Sequence, residues 1–392
     1  MKPTVIVIGS ADVIKLGIIR SVGELGYKVI SIHLVGSSKA KLLRMKPLDY
    51  YSKYVSAYYS TTADNLIDLL INKCSEKDHK PVIFASDDKS VYLIDQSYHI
   101  LNNYFLYANV NHQEGGIIHL MNKSIQKKMA AEAGLNVAKG WEIPFVNGNY
   151  VIPDDIEFPC FVKGELGYGG GKNLQKVCYD KRELSVLLDE NRRGPALPLL
   201  AEEYLPIDKE VGFMGISGEE YSKVPVMIEK TETGKGTSSG VTMAGRIVFV
   251  EESDKTTQAI NRLLLSMGYS GISNLDFIVS QGKLYFLEVN FRYAAYGYGV
   301  FRAGVNLPAM FAESVESSNL NSIGLQIAID NDYYYLNEKI GIINVLEKSI
   351  TWAKYKELKK KADFLMVKSK DDPKPYRMFL FKMAIKYLKS VN

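Results

Sequence analysis

The chain has 392 residues, of which 46% are hydrophobic and 23% charged, a composition typical of a globular protein with two or three structural units. The sequence contains no apolar run near the roughly 18 residues of a membrane span, and three scattered cysteines without a CxxC pair exclude a disulfide framework or a zinc ribbon. Net charge is +4, but residues 353–392 hold twelve Lys and Arg against four Asp and Glu, so the chain as a whole gives no case for nucleic-acid binding. A reduced, cytoplasmic compartment is expected.

The first hundred residues alternate between strand-like and helix-like patterns. Apolar or helix-periodic segments follow one another at residues 5–8, 12–25, 27–32 and 81–84. This alternation predicts a doubly wound α/β unit with a parallel sheet. Because the glycines after Gly9 lack the G-x-G-x-x-G spacing, no nicotinamide site is expected.

Polar residues follow these strands at the sheet edge where α/β proteins bind ligands: Ser10, Asp12, Asp87 and Asp88. They are explained equally well as turn and helix-capping residues.

Further along, residues 122–133 predict a helix that Gly134 ends. Short strands are then predicted at residues 158–163, 201–205, 210–216, 224–228 and 247–250. The tail from residue 354 is helical and basic, with a break at residues 371–375.

One predicted strand ends in Lys163 and opens into a loop with five glycines in residues 164–171. Glycines let backbone N–H groups approach an anion closely, and lysine adds a positive charge, so the loop suits a polyphosphate. The spacing is not that of a Walker A loop. The alternative is a flexible hairpin tip.

A predicted hairpin carries Asp276 on one strand and Glu288, Asn290 and Arg292 at alternating positions on and after the other. Alternating residues share a face of a strand, and carboxylate and amide oxygens are the ligands that Mg²⁺ prefers beside phosphates. A two-residue loop would set Asp276 opposite Leu287. An odd loop that pairs Ser280 with Leu284 sets Asp276 opposite Glu288 and gathers an apolar face, so we expect that register.

The apolar face expected from the odd loop consists of Leu275, Phe277, Val279, Tyr285, Leu287 and Val289. The alternative to a metal site is an ordinary edge hairpin with solvated acids.

With these motifs in order, the chain resembles the ATP-grasp superfamily over roughly residues 110–310. The resemblance implies an N-terminal doubly wound parallel α/β domain followed by an ATP-grasp fold, in which two α+β subdomains clamp ATP. The implied domains are 1–112 (the preceding α/β domain), 113–200 (small subdomain with the glycine-rich flap), 201–330 (large subdomain with the metal site) and 331–392 (basic C-terminal extension).

The resemblance also implies roles for individual residues. Nucleotide contacts would come from Lys123, Lys163, Gly169, Gly170, the adenine-side residues Glu202, Glu203 and Leu205, and the ribose-side Glu210. Metal ligands would be Asp276, Glu288 and Asn290, and the catalytic residues Arg292 and Lys163. The implied cofactors are ATP and Mg²⁺, with Mn²⁺ as the alternative metal.

Within the superfamily the chain is most similar to carboxylate–amine ligases of the D-aspartate ligase type, through residues 288–292, 303–308 and 372–375. This similarity implies amide formation through an acyl phosphate, with a small-molecule or cell-envelope precursor carboxylate and an amine as substrates. The alternatives are a carboxylase-type ATP-grasp enzyme and a non-catalytic ATP-binding regulatory protein. Biotin carboxylases share Asn290 and Arg292, but Tyr296 and Gly297 stand where they carry a Glu-His pair.

Two segments keep open alternatives. Residues 376–391 combine basic and apolar positions, which favours a helix packed on its own domain over peripheral contact with anionic membranes. Residues 230–240 form either a mobile loop near substrate or a plain surface loop. The sequence carries no signal for an oligomeric state.

Overall fold

The computed structural model describes residues 2–35, 46–166, 174–194, 196–235, 241–317 and 332–391, with side chains up to residues 315 and 385 in the last two ranges. The glycine-rich flap, with Gly169 and Gly170, and the distal part of the 230–240 loop lie outside these residues.

The N-terminal unit is built on a parallel sheet in the order β3-β2-β1-β4-β5. Its strands are β1 (Val5–Gly9), β2 (Val29–Leu34), β3 (Val55–Thr61), β4 (Val82–Ala85) and β5 (Leu106–Tyr107). Its helices are α1 (Asp12–Gly23), α2 (Leu66–Leu69), α3 (Asp88–Asp95) and α4 (Tyr98–Leu101), with a 3₁₀ turn at Leu48–Tyr51 and a π turn at Leu70–Cys74. The strand order reverses between β1 and β4, so the ends of these strands form the crevice where such sheets bind ligands.

A smaller antiparallel sheet follows, in the order β11-β10-β12-β7. The strands of this region are β6 (Asn109–Val110), β7 (Gly140–Ile143), the hairpin β8 (Phe145–Val146) and β9 (Asn149–Tyr150), β10 (Cys160–Gly164), β11 (Lys176–Cys178) and β12 (Leu199–Glu203). The helices are α5 (Gly116–Leu120), α6 (Lys123–Glu132) and α7 (Lys181–Arg193).

The largest sheet has the order β17-β16-β13-β14-β15-β18-β19, and β6 pairs with β16. Its strands are β13 (Lys209–Ser217), β14 (Ser222–Thr233), β15 (Thr242–Phe249), β16 (Tyr269–Ser280), β17 (Lys283–Asn290), β18 (Tyr333–Leu336) and β19 (Phe364–Leu365). The helices are α8 (Lys255–Ser266), α9 (Gly297–Arg302), α10 (Leu307–Ser317), α11 (Glu338–Leu346), α12 (Trp352–Lys361) and α13 (Lys374–Val391). The predicted fold class is confirmed, whereas the domain boundaries stay predictions.

Helix α6 shows how local sequence positions the site. The Asn122 side chain caps it by accepting a hydrogen bond from the Ile125 N–H at 3.1 Å, and Gly134 follows it with φ +91°. Inside the helix, Gln126 donates to the Val289 carbonyl at 3.2 Å and accepts from the Val289 N–H at 2.7 Å. The first turn of α6 is therefore fixed against the outer edge of β17.

The C-terminal segment is tied to the N-terminal unit by a buried ion pair. Arg20 on α1 contacts Asp372 at 3.0 Å, and the Ser52 hydroxyl donates to the same carboxylate at 2.8 Å. On α13, Phe379 is 1% exposed, as packing requires, whereas Leu380 and Phe381 are exposed. No helix in the described part of the chain combines the length and apolarity that crossing a membrane requires.

Candidate active site

The hairpin β16–β17 brings Asp276 and Glu288 face to face. Its loop has two residues, Gln281 and Gly282, both with positive φ, as a type I′ turn requires, so Ser280 pairs with Lys283. The expected pairing of Ser280 with Leu284 is therefore wrong.

A bulge restores the expected opposition of the two acids. Phe277 pairs with Phe286, Asp276 pairs with Glu288, and Leu287 is the extra residue between them. On β17 the buried residues of the apolar face are consequently Phe286 and Val289, whereas Tyr285 and Leu287, which were expected there with Val289, are only half-buried. The hydrophobic pattern determines which face the acids occupy, and the bulge accommodates the short turn.

Amide side chains surround Asp276. Asn290 donates to its Oδ2 at 2.9 Å, and Asn274 donates to the same oxygen at 3.4 Å. The Tyr296 hydroxyl, fully buried, donates to Asn274. It lies against Gly212, which pairs with Asp276 in the sheet, and a Cβ on that glycine would come within 2.5 Å of the hydroxyl oxygen.

Lys230 on β14 contacts this group from the side and was missed in the sequence. Its Nζ lies 2.8 Å from Asp276 Oδ1 and 3.5 Å from Glu210 Oε2. Burial would lower the pKa of Lys230, but Asp276 and then Glu210 outweigh burial and raise it above its ordinary value. Lys230 was expected at the start of the 230–240 loop, but β14 continues through Thr233, so that expectation is wrong for the first residues of the segment. The partners of Lys230 depend on the order of strands in the sheet.

Lys123, at the start of α6, faces the other acid, with Nζ 3.6 Å from Glu288 Oε2. Burial lowers the pKa of Lys123, and Glu288 opposes that shift only in part. The side chain of Glu288 is 35% exposed, so one face of this carboxylate remains open to a ligand.

Lys163 and Glu202 form a second buried group with Lys127. Glu202 Oε1 lies 2.8 Å from the Lys163 ammonium and 2.5 Å from that of Lys127, which the sequence analysis missed. Burial disfavours the Glu202 charge, yet Lys163 and Lys127 hold the pKa of this carboxyl below its usual range. Of the other predicted adenine-side residues, Glu203 accepts from the Lys139 N–H at 2.9 Å, and Leu205 is half-buried beyond β12.

Arg292 links the large sheet to the N-terminal unit. Its Nε donates to Asp88 Oδ1 at 2.7 Å, and one terminal nitrogen donates to Asn290 Oδ1 at 3.2 Å. Asp12 contacts Lys339 of α11 at 3.1 Å. Asp87 has the capping role that was the alternative: burial opposes its charge, but bonds from Ser10 and Ser90 lower the pKa of Asp87.

These groups border a cavity of about 840 Å³ between the large sheet and the N-terminal unit. The predicted site residues that line it are Lys123, Asp276, Glu288, Asn290 and Arg292. Lys230 and the strand-end residues Ser10, Asp12, Asp87 and Asp88 line it as well. Within the described ranges, the predicted nucleotide contacts other than Lys123 are outside this lining: Lys163, Glu202, Glu203, Leu205 and Glu210.

The donor set fits a hard divalent cation. Asp276, Glu288 and Asn290 present carboxylate and amide oxygens on one face of the hairpin, the ligand type that Mg²⁺ takes together with phosphates. Among the described residues, no group of three or more His, Cys, Asp and Glu side chains is arranged to enclose a metal. An ion held by two carboxylates and an amide would therefore need further oxygens from substrate or water.

Part of the chain is similar in sequence to known proteins. The model of the carbamoyl-phosphate synthase L chain, ATP binding domain, matches residues 122–295, which run from the α6 cap to just beyond Arg292. D-alanine–D-alanine ligase of Bacillus cytotoxicus is 27% identical over 184 residues, which cover 43% of this chain and 50% of that enzyme. The match thus spans about half the length of this curated relative.

Solved structures resemble nearly the whole chain. N5-carboxyaminoimidazole synthetase from Staphylococcus aureus, complexed with ADP, has a TM-score of 0.63 at 16% identity, covering 95% of this chain and 92% of that one. L-amino acid ligase from Bacillus licheniformis has a TM-score of 0.57 at 14% identity, covering 85% and 79%. The resemblance predicted from the sequence is thereby confirmed: this chain has the ATP-grasp fold, following a parallel α/β unit.

Proposed function

We propose that the protein is an ATP-dependent carboxylate–amine ligase that works through an acyl phosphate. The observation that carries this proposal is the row formed by Glu288, Asp276, Asn290 and Arg292 along one wall of the cavity. That row opens toward the strand ends of the N-terminal sheet, which leaves room for a second substrate beside a nucleotide. The ligases among the relatives support the same reaction class.

In the proposed reaction, a carboxylate oxygen of the substrate attacks the γ-phosphorus of ATP. The bond from that phosphorus to the β,γ-bridging oxygen breaks, and ADP leaves. The amine nitrogen then attacks the acyl carbon, phosphate departs, and the amine loses a proton. Phosphoryl transfer of this kind depends on position and charge neutralisation rather than on a protein nucleophile.

The proposal assigns that task to four cationic groups. Lys123, Lys163 and Lys230 would neutralise phosphate charge, and Arg292, held by Asp88, would stabilise charge on the transferring group. Asp276, Glu288 and Asn290 would hold Mg²⁺, which supplies neutralisation of phosphate oxygens when bound. Ion pairs already join Lys123 to Glu288 and Lys230 to Asp276, so binding of metal and phosphate would exchange these partners.

The decisive experiment supplies ATP, Mg²⁺ and a panel of carboxylates, with hydroxylamine in place of the amine. We expect a hydroxamate and one ADP for each turnover. AMP and pyrophosphate would overturn the acyl-phosphate route, because they show attack at the α-phosphorus.

The same assay separates the alternatives. ADP formation that depends on bicarbonate alone would indicate a carboxylase, and nucleotide binding without turnover would indicate a regulatory protein. Tyr296 argues against a carboxylase, because its buried hydroxyl donates to Asn274 at the position where biotin carboxylases carry an acid.

A further inference from the structure

Two of the three cysteines face each other across the small sheet. Cys160 on β10 pairs directly with Cys178 on β11 in an antiparallel register, and both side chains are fully buried in the same apolar cluster. Directly opposed residues of antiparallel strands have Cα atoms about 4.5–5.5 Å apart. This separation lies inside the range of about 4.4–6.8 Å that a disulfide spans.

The third cysteine provides a contrast within the same chain. Cys74 is also buried, but it belongs to the apolar cluster of the N-terminal sheet. All three thiols are therefore buried, and only Cys160 and Cys178 among them lie directly opposite each other on paired strands.

We propose that Cys160 and Cys178 form a reversible disulfide when the protein meets a peroxide, linking β10 to the edge strand β11. Lys163 lies three residues after Cys160 on the linked strand, and its ammonium contacts Glu202 at 2.8 Å. The link thus constrains the strand pair that carries this lysine. The bond needs no change in strand register, because the two residues already occupy paired positions.

The chemistry balances with hydrogen peroxide as the oxidant. One thiol, as thiolate, attacks a peroxide oxygen and becomes a sulfenic acid, with release of water. The opposite thiol then attacks the sulfenic sulfur, the S–S bond forms, and a second water leaves. Two thiols and one peroxide give one disulfide and two waters.

The first of these steps is slow in the closed sheet. Burial raises the pKa of Cys160 to about 11 and also raises that of Cys178, so few thiolates exist at neutral pH. Strand β11 is short and lies at the sheet edge, where local opening costs least. Once one thiol is oxidised, the opposite one is already adjacent, and closure of the bond is intramolecular.

The experiment uses the full chain, treated with hydrogen peroxide without denaturant, then unfolded and alkylated. We expect the number of alkylatable thiols to fall from three to one, with the mass of two hydrogen atoms lost, a Cys160–Cys178 peptide after digestion, and recovery with dithiothreitol. Cys74→Ser is the matched control and should lose its two remaining thiols in the same way. Cys160→Ser and Cys178→Ser should form no internal link.

The wild-type measurement tests the proposal even if a variant fails to fold. Three alkylatable thiols after treatment, a link through Cys74, covalent dimers, or sulfinic acid without a link would each overturn it. None of these outcomes bears on the ligase proposal, because the assay contains no nucleotide.

Discussion

Glu288 pairs with Asp276 across the hairpin, and its charge is balanced by Lys123 at 3.6 Å. We predict that Glu288→Gln lowers ADP formation by roughly 100-fold or more, because it removes a charge that the metal requires. The measurement is ADP release over a Mg²⁺ titration, with the thermal midpoint as a check on folding. Asp276→Asn should have a milder effect and raise the Mg²⁺ requirement.

Glu219→Gln is the matched control, because Glu219 is a surface acid paired with His112. It should leave turnover unchanged. Wild-type activity in Glu288→Gln would remove this residue from the proposed metal site.

Lys230 lies 2.8 Å from Asp276, with only 10% of its side chain exposed. We predict that Lys230→Met lowers ADP formation by roughly tenfold or more, since a fixed positive charge beside the phosphates is lost. Lys209→Met, on the neighbouring strand with a largely exposed side chain, is the control. Equal turnover in the two variants would mean that the Lys230 charge contributes to the stability of the fold and not to turnover.

At the scale of elements, the contact of α6 with β17 depends on Gln126, which is 2% exposed and bonds both backbone groups of Val289. Gln126→Met keeps the length of the side chain and removes both bonds, together with the bond that Gln126 donates to the Leu120 carbonyl at 2.7 Å. We predict a loss of about 2 kcal/mol in the free energy of unfolding, because buried backbone groups on an edge strand lose their partners. Urea unfolding measures the loss.

The same variant should raise KM for ATP, because α6 also carries Lys123. Gln113→Met, at an exposed position, is the control for the substitution itself. Unchanged stability in Gln126→Met would show that water replaces the three bonds at no cost.

The elements themselves could largely be predicted, because apolar periodicity reports burial on one face. Asn122 and Gly134 mark the limits of α6, and the alternation of Glu288 and Asn290 places both on the site face. The bulge at Leu287 could not be predicted, since the turn and the hydrophobic pattern favoured different pairings and the sequence does not show how they are reconciled.

Partners from distant parts of the chain were also beyond prediction. Lys230 reaches Asp276 only because β13 lies between their strands, and Asp88 meets Arg292 only because the N-terminal sheet packs over the hairpin. Such contacts follow from the order of strands and the packing of units. Local sequence periodicity predicts neither the strand order nor the packing.

At the scale of the whole molecule, Asp372 joins the C-terminal segment to α1. Its carboxylate accepts from Arg20, from the Ser52 hydroxyl and from the Lys53 N–H at 3.0 Å. We predict that Asp372→Ala lowers the free energy of unfolding by about 3 kcal/mol, because it leaves the Arg20 charge buried without its counter-ion. Urea unfolding would detect this change.

Asp371→Ala removes an exposed acid one residue away and should leave stability within about 0.5 kcal/mol of the wild type. If both variants unfold alike, the buried pair contributes nothing beyond the surface charge.

Helix α13 tests the predicted choice between packing and membrane contact. Phe379 packs inward, whereas Leu380 and Phe381 face outward near the basic positions Lys374 and Arg377. In a flotation experiment with vesicles that contain anionic lipid, packing predicts that the full chain and the double variant Leu380→Ser/Phe381→Ser are recovered with the vesicles to the same extent. Flotation of the full chain alone, reduced by added salt, would instead support a membrane-facing surface.

Gly212 is important for the site although it has no side chain that could contact a ligand. Its hydrogen atom leaves the space in which the Tyr296 hydroxyl reaches Asn274, and Asn274 in turn bonds Asp276. A single added methyl group would enter that space and displace the Tyr296 hydroxyl. The displacement would disturb Asn274, which bonds the Asp276 carboxylate. In a saturation mutagenesis of this chain, substitutions at position 212 would therefore lower activity as much as substitutions of the acids in the site.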